Sequence, residues 1–134
     1  MRAVRERGVE LKIIVPGKHS DHLLTRRSSR RLFGDLLKAG AKIYEYEPAM
    51  IHAKTMIVDG VWSVVGSTNF DNRSFGLNDE HNLCAYDPQL AQQFERIFAH
   101  DLPACDRIEL EAWRHRGPAA KAAERLASLL KEQI

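Results

Sequence analysis

A chain of 134 residues is one domain's worth of sequence, long enough to bury about two-thirds of its unfolded surface. Its 44% hydrophobic content is that of an ordinary globular protein; no apolar run reaches the ~18 residues of a bilayer-crossing helix, and MRAVRERGVE does not read as a secretory leader because no apolar core follows its basic residues. Net charge is a mild +2, yet residues 1–31 hold nine basic side chains (Arg2, Arg5, Arg7, Lys12, Lys18, Arg26, Arg27, Arg30, Arg31) against three acidic ones (Glu6, Glu10, Asp21), a field that favours anions, and the two cysteines, Cys84 and Cys105, are too few for a disulfide framework and read as reduced.

Met1–Gly8 reads as the last turns of a helix closed by Gly8, followed by a buried strand over Val9–Pro16. Gly17–Asp21 is a loop, and Asp21 can cap a helix running to about Ala39. Leu23, Leu24, Leu32, Phe33, Leu36 and Leu37 form its core stripe, with Arg26, Arg27, Arg30 and Arg31 on other faces. Those arginines suit a solvated face or a rim that meets lipid headgroups or another polyanion. Gly40 ends the helix as its C′ residue. Ala41–Tyr46 is the next strand, leading through Pro48 into the stretch that carries the chemistry. Strand, helix, strand, hairpin is an α/β layered order.

In Ile51–Asp79 the residues His52, Lys54, Met56 and Val58 alternate with Ala53, Thr55 and Ile57, which predicts a strand of period two. His52 and Lys54 then share a face about 6.6 Å apart, close enough to converge on one phosphate-sized anion. Asp59-Gly60 is a two-residue signal for a type I′ hairpin turn. The returning strand, Val61–Gly66, brings back Ser67 and Asn69, and Gly66 allows close approach of a ligand to the backbone. An imidazole, an ammonium, a hydroxyl and an amide together suit an oxyanion. Magnesium would need carboxylate ligands and zinc would need His or Cys at ligand spacing, and an ammonium repels a cation, so the stretch calls for no metal and no cofactor. The chemistry suggested is attack on phosphorus by a neutral imidazole, giving a phospho-histidine. Its second nitrogen needs an acceptor, as in a triad, and Glu80 is the candidate.

Beyond the hairpin, Phe70–Leu77 is a polar loop in which Arg73 pairs with Asp71 or a phosphate. Glu80–Tyr86 reads as a strand with His81 outward. Asp87-Pro88 opens a helix through about Ala99, Pro at its first position, with Leu90, Phe94, Ile97 and Phe98 as core face and His100 and Asp101 closing it. Leu102–Arg116 reads as irregular, fixed by Pro103 and Trp113. Pro118–Gln133 is a helix whose Ala122, Leu126, Leu129 and Leu130 face something apolar. Spacing assigns no role to His19, His22 or His115.

The pattern His52-x-Lys54, four residues, Asp59, six residues, Gly66-Ser67-x-Asn69, then Glu80, is similar to the signature of the phospholipase D superfamily. Its continuation, Asn69-Phe70-Asp71-Asn72-Arg73-Ser74-Phe75 with Asn78-Asp79-Glu80, resembles the C-terminal half of bacterial cardiolipin synthases, a likeness running from about Arg7 to Leu130. The resemblance implies a single phospholipase D-like domain over residues 1–134, a mixed β-sheet flanked by helices, lacking its first strand through a truncation before Met1. It implies a phosphatidyltransferase in which one motif's histidine attacks the phosphodiester and a second motif's histidine protonates the leaving alcohol. His52 is then nucleophile or acid, Lys54 and Asn69 bind phosphate with support from Ser67, Glu80 orients His52, and Asp59 holds the turn and strands.

A complete site needs two such motifs and this chain carries one: His19-Ser20-Asp21, His81-Asn82-Leu83 and His115-Arg116-Gly117 all lack the lysine. The implied partners are therefore a second phospholipase D-like half, in cis or as a homodimer, a phospholipid of the phosphatidylglycerol class and an anionic membrane surface. The implied location is peripheral, on the cytoplasmic side of the bacterial inner membrane. A homodimeric phosphodiesterase or nuclease is the alternative, against which the lipid-branch run stands, and an inactive anion-binding fragment is a third reading.

Overall fold

The computed structural model describes residues 6–19, 23–69 and 79–117, with side chains in the first helix described at Arg30 and from Leu32 onward. The elements in order are β1 (Lys12–Pro16), α1 (Leu23–Lys38), β2 (Lys42–Tyr46), β3 (Thr55–Val58), β4 (Trp62–Gly66), β5 (Asn82–Tyr86), α2 (Pro88–Asp101), a 3₁₀ turn (Leu102–Ala104), β6 (Cys105–Ile108) and α3 (Leu110–Arg114). They fall into two compact units: Met1–Ile51 with Ala104–Ile134, and His52–Pro103.

The first unit holds a mixed sheet of order β1-β2-β6. Strands β1 and β2 run parallel, from Lys12 opposite Lys42 to Pro16 opposite Tyr46, and a parallel pair needs a crossover, which α1 supplies. The helix stops where Gly40 takes a φ of +95°. There the Gly40 amide donates to Leu37 O at 3.0 Å and the Ala41 amide to Leu36 O at 3.0 Å, the paired bonds of a Schellman cap. Strand β6 closes the sheet antiparallel to β2, with Ile43 opposite Ile108 and Tyr46 opposite Cys105.

The core of this unit is Phe33, Leu37, Ile43 and Trp113, with Val15, Leu36, Ile108 and Leu110 against it. Leu32, expected in the stripe, is 56% exposed, because it stands one residue, about 100° of helix rotation, from the buried Phe33. Residues 102–116 are not irregular. They supply β6 and α3, and Cys105–Ile108, with its two central residues both exposed, shows no alternation that could be read without β2 beside it. Glu45 points into the core from β2, and its charge is answered by the Arg30 guanidinium. Arg30 also lies 5.1 Å from the Trp113 ring centroid, and Arg116 covers the ring at 3.7 Å.

The second unit is an antiparallel meander, β3-β4-β5. Asp59 and Gly60 both have positive φ, 52° and 65°, as the turn signal requires. The ladder nonetheless sets Val58 opposite Trp62, so Val61 is one residue extra on the returning arm. Helix α2 begins at an Asp87 cap whose carboxylate accepts from the Gln89 amide at 2.8 Å and the Leu90 amide at 3.2 Å, with Pro88 next in line. It packs on β3 and β4, where Ala91 and Ser63 are buried, while Ile97 of the expected core face is 57% exposed. The Asp21 cap, the 70–77 loop with Arg73, and the 118–133 helix lie outside the described residues.

Candidate active site

All the polar residues singled out by spacing belong to the second unit. His52 does not sit on a strand: β3 starts at Thr55, and the last bond toward it runs from the Gly66 amide to Lys54 O at 3.1 Å. The reason lies in the partner strand. After Gly66 the chain turns its pairing toward β5, with the Ser67 amide on His81 O at 3.0 Å, and nothing in the ladder remains for residues 52–53.

His52 and Lys54 meet all the same. The Lys54 ammonium curls back to His52, 2.6 Å from Nε2, and donates to the His52 carbonyl oxygen at 3.0 Å. An ammonium has donors and no acceptor, so Nε2 can meet it only as an acceptor. The ring nitrogen Nε2 and the Lys54 ammonium thus lie side by side, on an exposed imidazole. Partial burial holds the Lys54 pKa below the 10.5 of an ordinary lysine, and the charge of Glu80 opposes that shift.

Across the ladder, Ser67 Oγ donates to Glu80 Oε2 at 2.5 Å and accepts from the His81 amide at 3.0 Å. Glu80, the candidate support for His52, precedes β5 rather than beginning it. Its carboxylate holds the Ser67 hydroxyl and its charge reaches Lys54. Asn69 follows two residues on and is exposed. Asp59 occupies the turn at positive φ, the place that a turn-holding role requires. His81 lends its backbone, not its ring, to the Ser67 arm.

Two features were not read from the sequence. Gly66 lies against β5: a Cβ there would run into Asn82 Oδ1 and the His81 carbonyl oxygen, so its smallness serves the neighbouring strand. And Asn82 Nδ2 donates to Thr68 Oγ1 at 2.6 Å, tying down the residue between Ser67 and Asn69. The signal for that pair was a hydroxyl at the variable position of Gly-Ser-x-Asn and an amide two residues after Glu80. Among the described residues no group of three His, Cys, Asp or Glu side chains gathers as metal ligands. The arrangement sets an ammonium beside a ring nitrogen and, on the neighbouring arm, a hydroxyl bound to Glu80 and an exposed amide side chain.

Comparison with known proteins gives the family of the chain. Residues 1–102 match the family model described as cardiolipin synthase, phospholipase D-like domain. Cardiolipin synthase A of Erwinia tasmaniensis is 40% identical over 120 residues, 90% of this chain and 24% of that protein. A cardiolipin synthase of Clostridium perfringens is 37% identical over 123 residues, 92% of this chain and 26% of that one. The chain therefore spans 24–26% of the length of these curated relatives. The crystal structure of Nuc from Salmonella typhimurium, a phospholipase D family member, superposes with a TM-score of 0.70 at 23% identity, covering 80% of this chain and 69% of that one. That likeness is one of fold.

Proposed function

The chain belongs to the cardiolipin synthase, phospholipase D-like domain family, and from that premise we propose that it forms one half of a phosphatidyltransferase site. The observation that carries the reading is the 2.6 Å approach of Lys54 Nζ to His52 Nε2. A phosphodiester oxygen takes the place of the imidazole beside the ammonium, leaving the Nε2 lone pair directed at phosphorus. As the N–P bond forms, the P–O bond to the leaving alcohol breaks, and that alcohol takes its proton from the histidine of a second motif. An acceptor alcohol then gives its proton back to that histidine and attacks phosphorus, and the P–N bond breaks. Lys54 and the Asn69 amide bind the equatorial oxygens, Ser67 supports them, and Glu80 orients His52 while its charge favours the Lys54 ammonium.

The second motif comes from another half, in cis or as a second copy. The substrate is a phospholipid of the phosphatidylglycerol class, met at an anionic membrane surface on the cytoplasmic side. Among the described residues no helix is long and apolar enough to cross a membrane. The test is conversion of phosphatidylglycerol vesicles, with trapping of the covalent intermediate by acid quench and peptide mapping. The phosphoryl group is expected on His52, and His52→Ala is expected to lower the rate by about 10³-fold or more. A label on another side chain, or equal rates in both proteins, defeats the proposal.

One observation favours a narrower reading. A single His-x-Lys motif is present, and half a site retains the anion receptacle without the acid. In that case the chain binds phosphate stoichiometrically and sediments as a monomer without turnover. Hydrolysis of plasmid DNA in place of lipid conversion would instead identify a phosphodiesterase.

A further inference from the structure

One donor assigned to phosphate, Asn69, and the Ser67 that supports it sit on a short arm, residues 67–69, where the chain has already left strand β4. An arm of this kind needs fixing if its side chains are to meet a ligand without first losing conformational freedom. Its first residue is fixed by backbone pairing with His81 and by the hydroxyl bond to Glu80. Its middle residue is fixed by a side chain: Asn82 Nδ2 donates to Thr68 Oγ1 at 2.6 Å. Asn82 is also the ladder partner of Gly66, the position where a Cβ would collide with its Oδ1. One asparagine therefore presses on the residue before the arm and ties the residue in its middle.

We propose that Asn82 and Thr68 are positioning residues, a clip from β5 that holds the 67–69 arm so that Asn69 faces an incoming phosphoryl group in ready-made geometry, with the Ser67 hydroxyl kept on Glu80 as its support. The role rests on the phosphate site argued above. Neither residue need touch substrate. Asn82 takes no part in the candidate motif, and Thr68 occupies its unspecified position. The clip's effect falls on the arm alone, since helix α2 is anchored separately by Asp87 and by packing on β3 and β4.

The experiment is a titration of the whole chain with inorganic phosphate, followed by amide NMR, with hydrogen exchange read on the same samples. Asn82→Ala and Thr68→Val are each expected to speed exchange at residues 67–69 and to weaken phosphate binding about fivefold, while α2 amides keep their parental exchange. The double variant is expected to bind no more weakly than either single one, because both remove the same bond. Thr68→Ser keeps the hydroxyl and is expected to bind like the parent. Equal phosphate affinity in parent and both single variants overturns the positioning role, as does unchanged exchange at 67–69. Loss of binding in Thr68→Ser overturns it too, since the bond is then not what matters. A parent chain that binds no phosphate overturns the phosphate site itself, and the clip with it as a functional device. That outcome is distinct from a parent that binds and variants that bind equally well.

Discussion

At the scale of single residues, Lys54 carries the sharpest consequences. Its pKa is lowered in the folded chain, so between that lowered value and 10.5 the unfolded chain holds more protons than the folded one. Stability therefore rises with pH across that window. The rise is small, because the ammonium is only half-buried, and Lys54→Met is expected to remove it in urea unfolding series taken at stepped pH. Anion binding runs the other way. Phosphate affinity is expected to fall as pH climbs past the lowered pKa, earlier than for an ordinary lysine, and Lys54→Arg is expected to push that fall to higher pH because guanidinium stays charged. Calorimetric titration of both proteins across the range checks the sign. The candidate site residues, His52, Lys54, Ser67, Asn69 and Glu80, were picked out by their spacing in the sequence. Their partnerships were less legible. Strand alternation predicted that His52 and Lys54 share a face, whereas the contact comes from the lysine stem curling back along an unpaired stretch. Which residue the Glu80 carboxylate grips depends on where β5 begins, and that is set by pairing across the sheet rather than by local pattern.

At the scale of elements, the turn between β3 and β4 rests on two residues of positive φ. Asp59 sits at a φ of +52°, tolerated by Asp and Asn and costly for a β-branched side chain. Asp59→Asn is expected to leave stability within about 0.5 kcal/mol, and Asp59→Val to cost about 1–2 kcal/mol. In both variants activity should track only the folded fraction; a large activity loss in a fully folded Asp59→Asn protein would give this carboxylate a direct part in the reaction. Gly66 makes a second test. Gly66→Ala drives a methyl into backbone and side-chain atoms of β5 and is expected to cost about 1–3 kcal/mol, read as a lowered urea midpoint with slower exchange lost first at β4 and β5. The Asp59-Gly60 turn, the Asp87-Pro88 start of α2 and the Gly40 stop of α1 were all legible, because each depends on neighbouring residues alone. Strand β6 and helix α3 were not. Four residues with two charges, Cys105–Ile108, carry no pattern of their own, and they form a strand because β2 offers an open edge.

At the scale of the whole molecule, the first unit is assembled from two distant parts of the sequence. Its core needs Phe33, Leu37 and Ile43 from one part and Trp113 from the other, and the tryptophan also carries the two arginines stacked on its faces. Trp113→Ala is expected to cost about 3–5 kcal/mol, unfolding the β1-β2-β6 sheet in denaturant well before the β3-β4-β5 meander; simultaneous loss of both would show that the units unfold as one. The α/β class was legible from the order of elements, but the division into two units was not, since it follows from β6 returning to pair with β2 across more than fifty intervening residues. That return has a consequence during synthesis. On the ribosome the meander can zip as it emerges, each strand finding the one just made, while the earlier strands β1 and β2 must wait, half-covered, until the tryptophan has cleared the exit tunnel. Nascent chains released just after Pro103 are therefore expected to expose Phe33 and Ile43 to chaperones, and those released after Arg116 to be ignored by them.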